Sequence, residues 1–318
     1  MKQKHDHEHH IHKHGHHHNH HSHGHESTKF NRAFAIGGIL NICFVIVEAL
    51  YGYLAHSLAL FADAGHNLGD VLGLILAWGA STLAHRPPSH RYTYGLRASS
   101  ILAALVNAII LLLSMGAIAW EAIYRFNDSD PVSGITMIGV ACIGIIINGI
   151  TAIMFASGRN HDLNIRGAFL HMAGDALVSL GVVIAGIAIL MTQWLWLDPL
   201  VSLILVVVVV IGTWDLLKDS VNLALDGVPE GIDPRAVKSY LMERPGVVKI
   251  HDLHIWAMST TETALTVHLV IPQGYLGDAF LWQVSQELDH HFGIKHCTIQ
   301  VETGDSQYPC VLEPDHLV

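Results

Sequence analysis

The sequence predicts an α-helical membrane protein with six transmembrane helices, followed by a small C-terminal α+β domain. Of the 318 residues, 51% are hydrophobic and 14% are charged, whereas an ordinary soluble domain has roughly 25% charged residues. Apolar segments long enough to cross a hydrocarbon core of about 30 Å recur six times between residues 30 and 218. Beyond residue 220 the hydropathy falls and the spacing of apolar residues changes, which indicates a second domain.

The N-terminal segment, residues 1–29, is polar and contains half of the 26 histidines. It has almost nothing apolar to bury, so we expect a disordered tail. An affinity tag is one interpretation, but the irregular interleaving with Asp6, Glu8 and Lys13 favours a native segment that collects metal ions. The segment lacks the apolar core and cleavage site of a secretory signal.

The predicted membrane domain covers residues 30–218 and places its cationic residues on one side. Its spans are 33–54, 57–84, 98–124, 134–157, 164–192 and 199–217. The connections after the second and fourth spans, with the end of the sixth, carry Arg86, Arg91, Arg97, Arg159 and Lys218. The opposite connections carry Arg125 alone with Asp128, Asp130 and Asp198. By the positive-inside rule, both termini are cytoplasmic.

The predicted cytoplasmic domain, residues 219–305, reads as αββαβ, with a tail at 306–318. An Asp233-Pro234 pair is typical of a capped helix start. The expected elements are a helix to Met242, strands at 247–258 and 264–271, a helix at 278–291 and a strand at 296–302. This order predicts helices on one face of a three-stranded sheet.

Several functional classes are excluded by composition and motif. The formal net charge of −10 argues against a nucleic-acid partner, since no basic stripe is present to neutralise phosphates. The four cysteines have no paired spacing, so a disulfide framework is not expected. A metalloprotease within the membrane requires a His-Glu-x-x-His helix, which the sequence lacks.

Two matching motifs carry the predicted chemistry. The second span contains His66 and Asp70, and the fifth contains His171 and Asp175, each pair spaced i, i+4 on one helix face. If the two faces meet, they offer two imidazole nitrogens and two carboxylate oxygens, a tetrahedral shell for Zn²⁺. The alternative is that each pair is a polar packing contact within its own helix. Duplication of costly ionisable residues at membrane depth favours the metal site.

The predicted spans do not place the two motifs at one depth. The pair in the second span lies about 4 Å from the middle of that span, toward the outer side of the membrane. The pair in the fifth span lies about 7 Å from the middle of its span, toward the cytoplasmic side. The gap closes only if the fifth helix starts near residue 160 and tilts of about 20° are allowed. Asp63 is expected either to accept a hydrogen bond from an imidazole N–H or to be a polar residue at the outer end of the second helix. The polar residues Glu48, Asn107 and Asn148 are expected to form hydrogen bonds between helices.

The paired HNLGD and HMAGD motifs, six helices, the His-rich segment and the HDLHIW sequence resemble the cation diffusion facilitator family. The similarity covers residues 30 to 303. It implies a homodimeric metal/proton antiporter of the plasma (bacterial inner) membrane, with a ferredoxin-like cytoplasmic domain, that exports zinc or cadmium through His66, Asp70, His171 and Asp175. In that family the His-Asp form of the first motif is associated with zinc and cadmium, and an Asp-Asp form with manganese or iron.

The resemblance also implies accessory metal sites. In the loop after the second helix it indicates His90, although Tyr94 stands where a second histidine is expected. In the cytoplasmic domain the implied ligands, which would make Zn²⁺ a regulatory ligand as well as the substrate, are His251, His268, His296 and Glu302. From the residues alone, histidines on neighbouring strands can share a metal. Three further histidines are interpreted as surface or core residues: His254, His290 and His291. Three other residues could add ligands to the site: Cys297, Cys310 and His316.

The ligand types predict exchange, because neutral imidazole binds a metal ion and protonated imidazole does not. A membrane-anchored zinc sensor or buffer is the alternative, and a passive channel is a third interpretation. The sequence leaves the choice among zinc, cadmium, cobalt and nickel open, since all accept nitrogen and oxygen ligands.

Overall fold

A computed structural model describes residues 24–84, 86–126, 131–156, 163–305 and 307–313. Most of the predicted His-rich tail, the loop residues Asp128, Asp130 and Arg159, and His316 lie outside these described residues. The first helix begins at Gly24, so residues 24–29, assigned to the tail from sequence, continue the helix. Extending a helix that is already nucleated adds one hydrogen bond per residue, which explains the longer start.

Among the described residues, the N-terminal domain contains six helices, as the sequence predicts. They are α1 Gly24–Leu54, α2 Leu58–Ala84, α3 Ser99–Arg125, α4 Gly134–Ala156, α5 Leu163–Thr192 and α6 Leu197–Ala224. Five of them are long and apolar enough to cross a membrane, and the described apolar part of α1 is the shorter stretch Gly38–Leu54. The sixth helix extends past its predicted end at 217 and leads into the C-terminal domain.

A stripe of glycines brings α2 close to α3. Gly65, Gly69 and Gly73 face the α3 side chains Met115, Leu111 and Asn107, in that order. A Cβ atom on Gly69 would lie 2.0 Å from Leu111 Cδ2, so no larger residue fits this packing. Small residues one turn apart are a common means of close helix packing in membranes. Because His66 and Asp70 directly follow two of these glycines, the stripe also orients the motif.

The start of α2 is capped by a carboxylate from α6. The fully buried Asp198 accepts hydrogen bonds from the backbone N–H of Leu58 at 2.7 Å and of Ala59 at 3.2 Å. It also accepts one from Ser57 Oγ at 2.6 Å. These donors are groups that a helix leaves unpaired at its N-terminus, where negative charge is favourable. This end of α2 is therefore anchored to α6.

The C-terminal domain has the predicted αββαβ order. Its elements are α7 Pro234–Met242, β1 Lys249–Ala257, β2 Thr263–Val270, α8 Asp278–Phe292 and β3 Ile294–Glu302. The sheet order is β1-β2-β3, with β1 antiparallel and β3 parallel to β2. The Asp233 side chain caps α7 by accepting from Arg235 N at 2.9 Å. Asp252, at φ 51°, lies in a bulge of β1 between His251 and His254.

Two contacts join the domains where the β1–β2 turn meets the start of α3. Arg97 Nη1 lies 2.6 Å from Glu262 Oε2. The backbone N–H of Thr260 donates to Ser100 Oγ at 3.1 Å. Ser99 Oγ donates to the Ala80 carbonyl at 3.1 Å, so the turn lies near the C-terminal part of α2, which carries one of the paired motifs.

Candidate metal sites

The paired motifs of α2 and α5 meet inside the helical domain. His66 Nε2 lies 3.5 Å from Asp175 Oδ1, and His171 Nε2 lies 3.3 Å from Asp70 Oδ2. The corresponding distances within each helix are 3.7 Å and 3.6 Å. Each imidazole is thus at least as close to the carboxylate of the other helix as to its own. The four side chains form one group, which we call the tetrad.

The difference in depth that follows from the predicted spans does not occur in the structure, where the described part of α5 begins at Leu163. The helices are antiparallel and staggered. Beyond Asp70, α2 continues for about 21 Å to Ala84, whereas about 12 Å of α5 precedes His171 on the same side. The middle of each helix therefore lies at a different level, while the two motifs are level with each other.

The donor geometry of the tetrad suits a tetrahedral ion. Ligand atoms of Asp70, His171 and Asp175 lie within 4.8 Å of one another, and His66 Nε2 lies 3.7 Å from Asp70 Oδ2 and 3.5 Å from Asp175 Oδ1. In a tetrahedron with metal–nitrogen bonds of about 2.0 Å, neighbouring ligand atoms are about 3.3 Å apart. Asp175 is 3% exposed, and its Oδ2 atom makes no hydrogen bond among the described residues. A buried carboxylate oxygen without a hydrogen bond makes Asp175 a candidate metal ligand.

The tetrad opens into a cavity of about 320 Å³ lined by α2, α3, α5 and α6. Apolar side chains form much of the wall, including Leu111 and Leu205. Asn107 also lines the cavity, although the sequence assigned it to bonding between helices. The usable signal was its i, i+4 spacing from Leu111, which places both residues on the α3 face toward α2.

A set of buried polar side chains lies behind the tetrad. Asp63, 1% exposed, accepts a hydrogen bond from Ser179 Oγ of α5 at 3.2 Å. Asn67 Nδ2 donates to Glu48 Oε2 of α1 at 3.2 Å. The two bonds tie α2 to α5 and to α1 beside its candidate metal ligands. The prediction that Glu48 bonds between helices is thereby confirmed.

The C-terminal domain contains a second group of potential ligands, which we call the sheet cluster. His251 and His268 are paired across β1 and β2, with ring centroids 5.1 Å apart. Glu302 Oε1 lies 2.9 Å from His268 Nδ1, and Glu302 Oε2 lies 3.4 Å from His251 Nε2. Cys310 Sγ lies 3.5 Å from His268 Nδ1. One ligand atom of each residue lies within 4.8 Å of the other three.

Two properties of the sheet cluster bear on metal binding. The ring nitrogens of His251 are buried and make no hydrogen bond among the described residues. Partial burial and the neighbouring Glu302 carboxylate raise the pKa of the Cys310 thiol. In the absence of metal this residue is therefore a neutral thiol, which loses its proton when it ligates a metal ion.

His296 and His90 lie apart from both groups. His296 is exposed at the other end of β3, about 20 Å along the strand from Glu302, and its ring packs 5.6 Å from that of Tyr94. His90 is exposed in the loop after α2 and belongs to no group of three potential ligands among the residues described. His254 lies 2.9 Å from Asp252 Oδ1. Burial raises the pKa of Cys297 to about 11, so this residue is a protonated thiol.

Models of two known domain families match the chain. Residues 35–223 match the cation efflux transmembrane domain, and residues 229–304 match the cytoplasmic domain of cation efflux proteins. The two matches together cover most of the chain. They include the whole tetrad and the sheet-cluster residues His251, His268 and Glu302, whereas Cys310 lies beyond the second match.

Curated bacterial proteins resemble the chain over most of its length. The cadmium, cobalt and zinc/H(+)-K(+) antiporter of Bacillus subtilis is 37% identical over 84% of this chain and 88% of its own length. The zinc transporter ZitB of Escherichia coli is 39% identical, with 81% and 83% covered. The metal cation efflux system protein CzcD of Cupriavidus metallidurans is 37% identical, with 88% and 87% covered.

Proposed function

The chain belongs to the cation efflux (cation diffusion facilitator) family of membrane transporters, which are not enzymes, and on this premise we propose that it exports Zn²⁺ from the cytoplasm through the tetrad. The observation that carries the proposal is the approach of each imidazole to the carboxylate of the other helix, at 3.3 and 3.5 Å. Four ionisable side chains held together between membrane helices are costly without a bound cation.

The donor set supports a borderline-soft ion. Two imidazoles and two carboxylates satisfy the usual four-coordinate preference of Zn²⁺. Cd²⁺ is the second substrate that we propose, since the relative from B. subtilis is named for cadmium, cobalt and zinc. The two carboxylates offset the charge of the ion, which lowers the cost of holding it away from bulk water.

Proton exchange follows from the same ligands. Only neutral imidazole ligates a metal, so protons and Zn²⁺ compete for His66 and His171. We propose that the tetrad alternates between the two sides of the membrane, loading metal from the cytoplasm and releasing it outside as protons bind. The antiporter name of the relative from B. subtilis supports this coupling.

We further propose the arrangement in the cell. Both termini are cytoplasmic, the protein resides in the bacterial inner membrane, and it acts as a homodimer through its cytoplasmic domain. The His-rich N-terminal segment supplies metal to the cytoplasmic side.

In the cytoplasmic domain, we propose that the sheet cluster holds a regulatory Zn²⁺. Two imidazoles, a carboxylate and a thiol form a donor set typical of zinc. The ring nitrogens of His251, which make no hydrogen bond among the described residues, are consistent with a role as metal ligand. The protein supplies His251, His268, Glu302 and Cys310 for this purpose. This cluster is also the observation that favours the alternative function, a membrane-anchored zinc sensor or buffer.

Reconstituted liposomes test the proposal. We expect Zn²⁺ uptake driven by a pH gradient, with proton movement in the opposite direction, and loss of both in Asp175→Ala. Asp215→Ala is the control, because Asp215 is an exposed carboxylate on α6 outside both groups. Zinc binding without zinc flux in the unsubstituted protein would favour the sensor. Zinc flux that is independent of the pH gradient would favour a channel.

A further inference from the structure

Two cavities meet inside the protein. The first, about 710 Å³, lies where the cytoplasmic domain faces the helices, with Arg86, Tyr94, Arg97 and residues 259–262 in its wall. The second is the tetrad cavity of about 320 Å³. Two residues, Asn107 of α3 and Leu216 of α6, line both. They form the boundary between the cavity at the domain junction and the tetrad cavity.

Asn107 is the polar member of that boundary. Its amide packs on Gly73, where a Cβ atom would lie 2.9 Å from Asn107 Nδ2. Gly73 is one turn beyond Asp70 on α2, so the amide lies next to the tetrad along the helix axis. Asn107 Oδ1 is buried and has no hydrogen-bond partner among the described residues. Asn107 therefore combines two features of a ligand residue: its side chain lines both cavities, and its carbonyl oxygen has lone pairs that no donor among the described residues occupies.

We propose that Asn107 is the transfer ligand for the metal ion, holding it through its side-chain oxygen between the junction cavity and the tetrad. This assignment rests on the proposed transport function and adds a residue to it. A neutral amide oxygen replaces part of the hydration shell without the strong attraction of a carboxylate, so the ion is passed on rather than trapped. Leu216, the other boundary residue, offers no ligand atom.

The competing explanation is that Asn107 serves only helix packing. The position of Asn107 in the wall of both cavities distinguishes it from a residue that only packs between helices. Asn148 of α4 provides a matched control: it is a buried asparagine at membrane depth whose side-chain oxygen and nitrogen also lack partners, and it lines neither cavity.

The test compares Asn107→Leu with Asn148→Leu in proteoliposomes and in zinc titrations of the purified full chain. The site that disappears in Asp175→Ala identifies the tetrad in the titration. For Asn107→Leu we expect an initial Zn²⁺ flux at least tenfold lower, with tetrad affinity changed less than threefold. Asn107→Gln, which keeps an amide oxygen, should restore at least a third of the flux. Asn148→Leu should transport at the unsubstituted rate.

Three outcomes would overturn the assignment. They are flux in Asn107→Leu within twofold of the unsubstituted rate, an equal loss in Asn148→Leu, or a tenfold loss of tetrad affinity in Asn107→Leu. If Asn107→Leu does not fold, Asn107→Ala, which needs no extra space, takes its place with the same expectations. Failure of transport itself is distinguishable, because the unsubstituted protein would then show no flux; that result would overturn both proposals.

Discussion

The tetrad and the sheet cluster contain similar donor groups, but the tetrad lies between two helices and the sheet cluster lies on paired β-strands. The tetrad ligands come from two helices and line a cavity, and the spacing of its atoms depends on how α2 lies against α5. The sheet cluster ligands His251 and His268 are fixed by the pairing of β1 with β2. A site between helices can change when the helices shift, whereas a site on a paired sheet stays assembled. The first arrangement suits transport and the second suits retention.

The largest expected effect separates the two sites by function. His171→Ala should reduce zinc flux by at least 100-fold, because it removes one of four ligands and leaves Asp70 without its closest partner. His268→Ala should remove one bound zinc from the purified protein while transport through the tetrad continues. Equilibrium zinc titration and liposome flux, measured on both variants, check this. Loss of flux in both to the same extent would contradict the division of roles.

The second prediction exchanges a soft ligand for a hard one in the tetrad. His66→Asp should weaken zinc binding there about tenfold and improve the relative transport of Mn²⁺, because carboxylate oxygen suits Mn²⁺ better than imidazole does. Competition of Mn²⁺ with Zn²⁺ in the flux assay measures the shift. The corresponding change in the sheet cluster, His251→Asp, is the control and should leave the selectivity of flux unchanged.

The third prediction concerns proton release at the sheet cluster. Because the pKa of Cys310 is raised, its thiol is protonated without metal, and zinc binding must displace that proton. Zinc affinity of the cluster should therefore fall as the pH is lowered. Cys310→Ser should weaken binding several-fold and make it less dependent on pH. Titrations at several pH values decide this, with Cys297→Ser as control, since that thiol bonds to Ile294 O instead. An unchanged pH slope in Cys310→Ser would rule out thiolate ligation.

The smallest expected effect lies in one of the contacts between the two domains, the Arg97–Glu262 ion pair. Arg97 and Glu262 are both partly exposed, so their ion pair contributes about 0.2–1 kcal/mol at most. Glu262→Gln should leave both zinc affinities unchanged and alter the flux rate less than threefold. The charge-reversed pair Arg97→Glu with Glu262→Arg should restore the original rate. No restoration would mean that the pair does not act as a unit.

The sequence contained the composition of the tetrad but not its geometry. The i, i+4 spacing of each motif determines which helix face carries the ligands, as observed for His66 and Asp70. It says nothing about the axial offset of two helices, which depends on packing between distant segments. The stagger of α2 and α5 was therefore missed, and so was the place of Asn107 in the cavity wall.

The sheet cluster shows a similar limit. The pairing of His251 with His268 was expected from two β-branched runs, and the structure places Glu302 beside them. His296 lies elsewhere because a strand advances about 3.3 Å per residue, so six residues separate it fully from Glu302. The position of Cys310 depends on where the chain folds back after β3. No periodic pattern in residues 306–318 indicates that return.

The capped start of α2 makes this helix a lever. Asp198 holds Leu58 and Ala59 at one end, the tetrad residue Asp70 is about 18 Å along the axis, and Ala84 is about 39 Å along it. A rotation about the capped end that displaces Asp70 by about 2 Å displaces the far end by about 4 Å. The far end lines the cavity beside the cytoplasmic domain. A displacement of Asp70 is thus about doubled at the domain junction. A displacement of α2 at the junction is correspondingly about halved at Asp70.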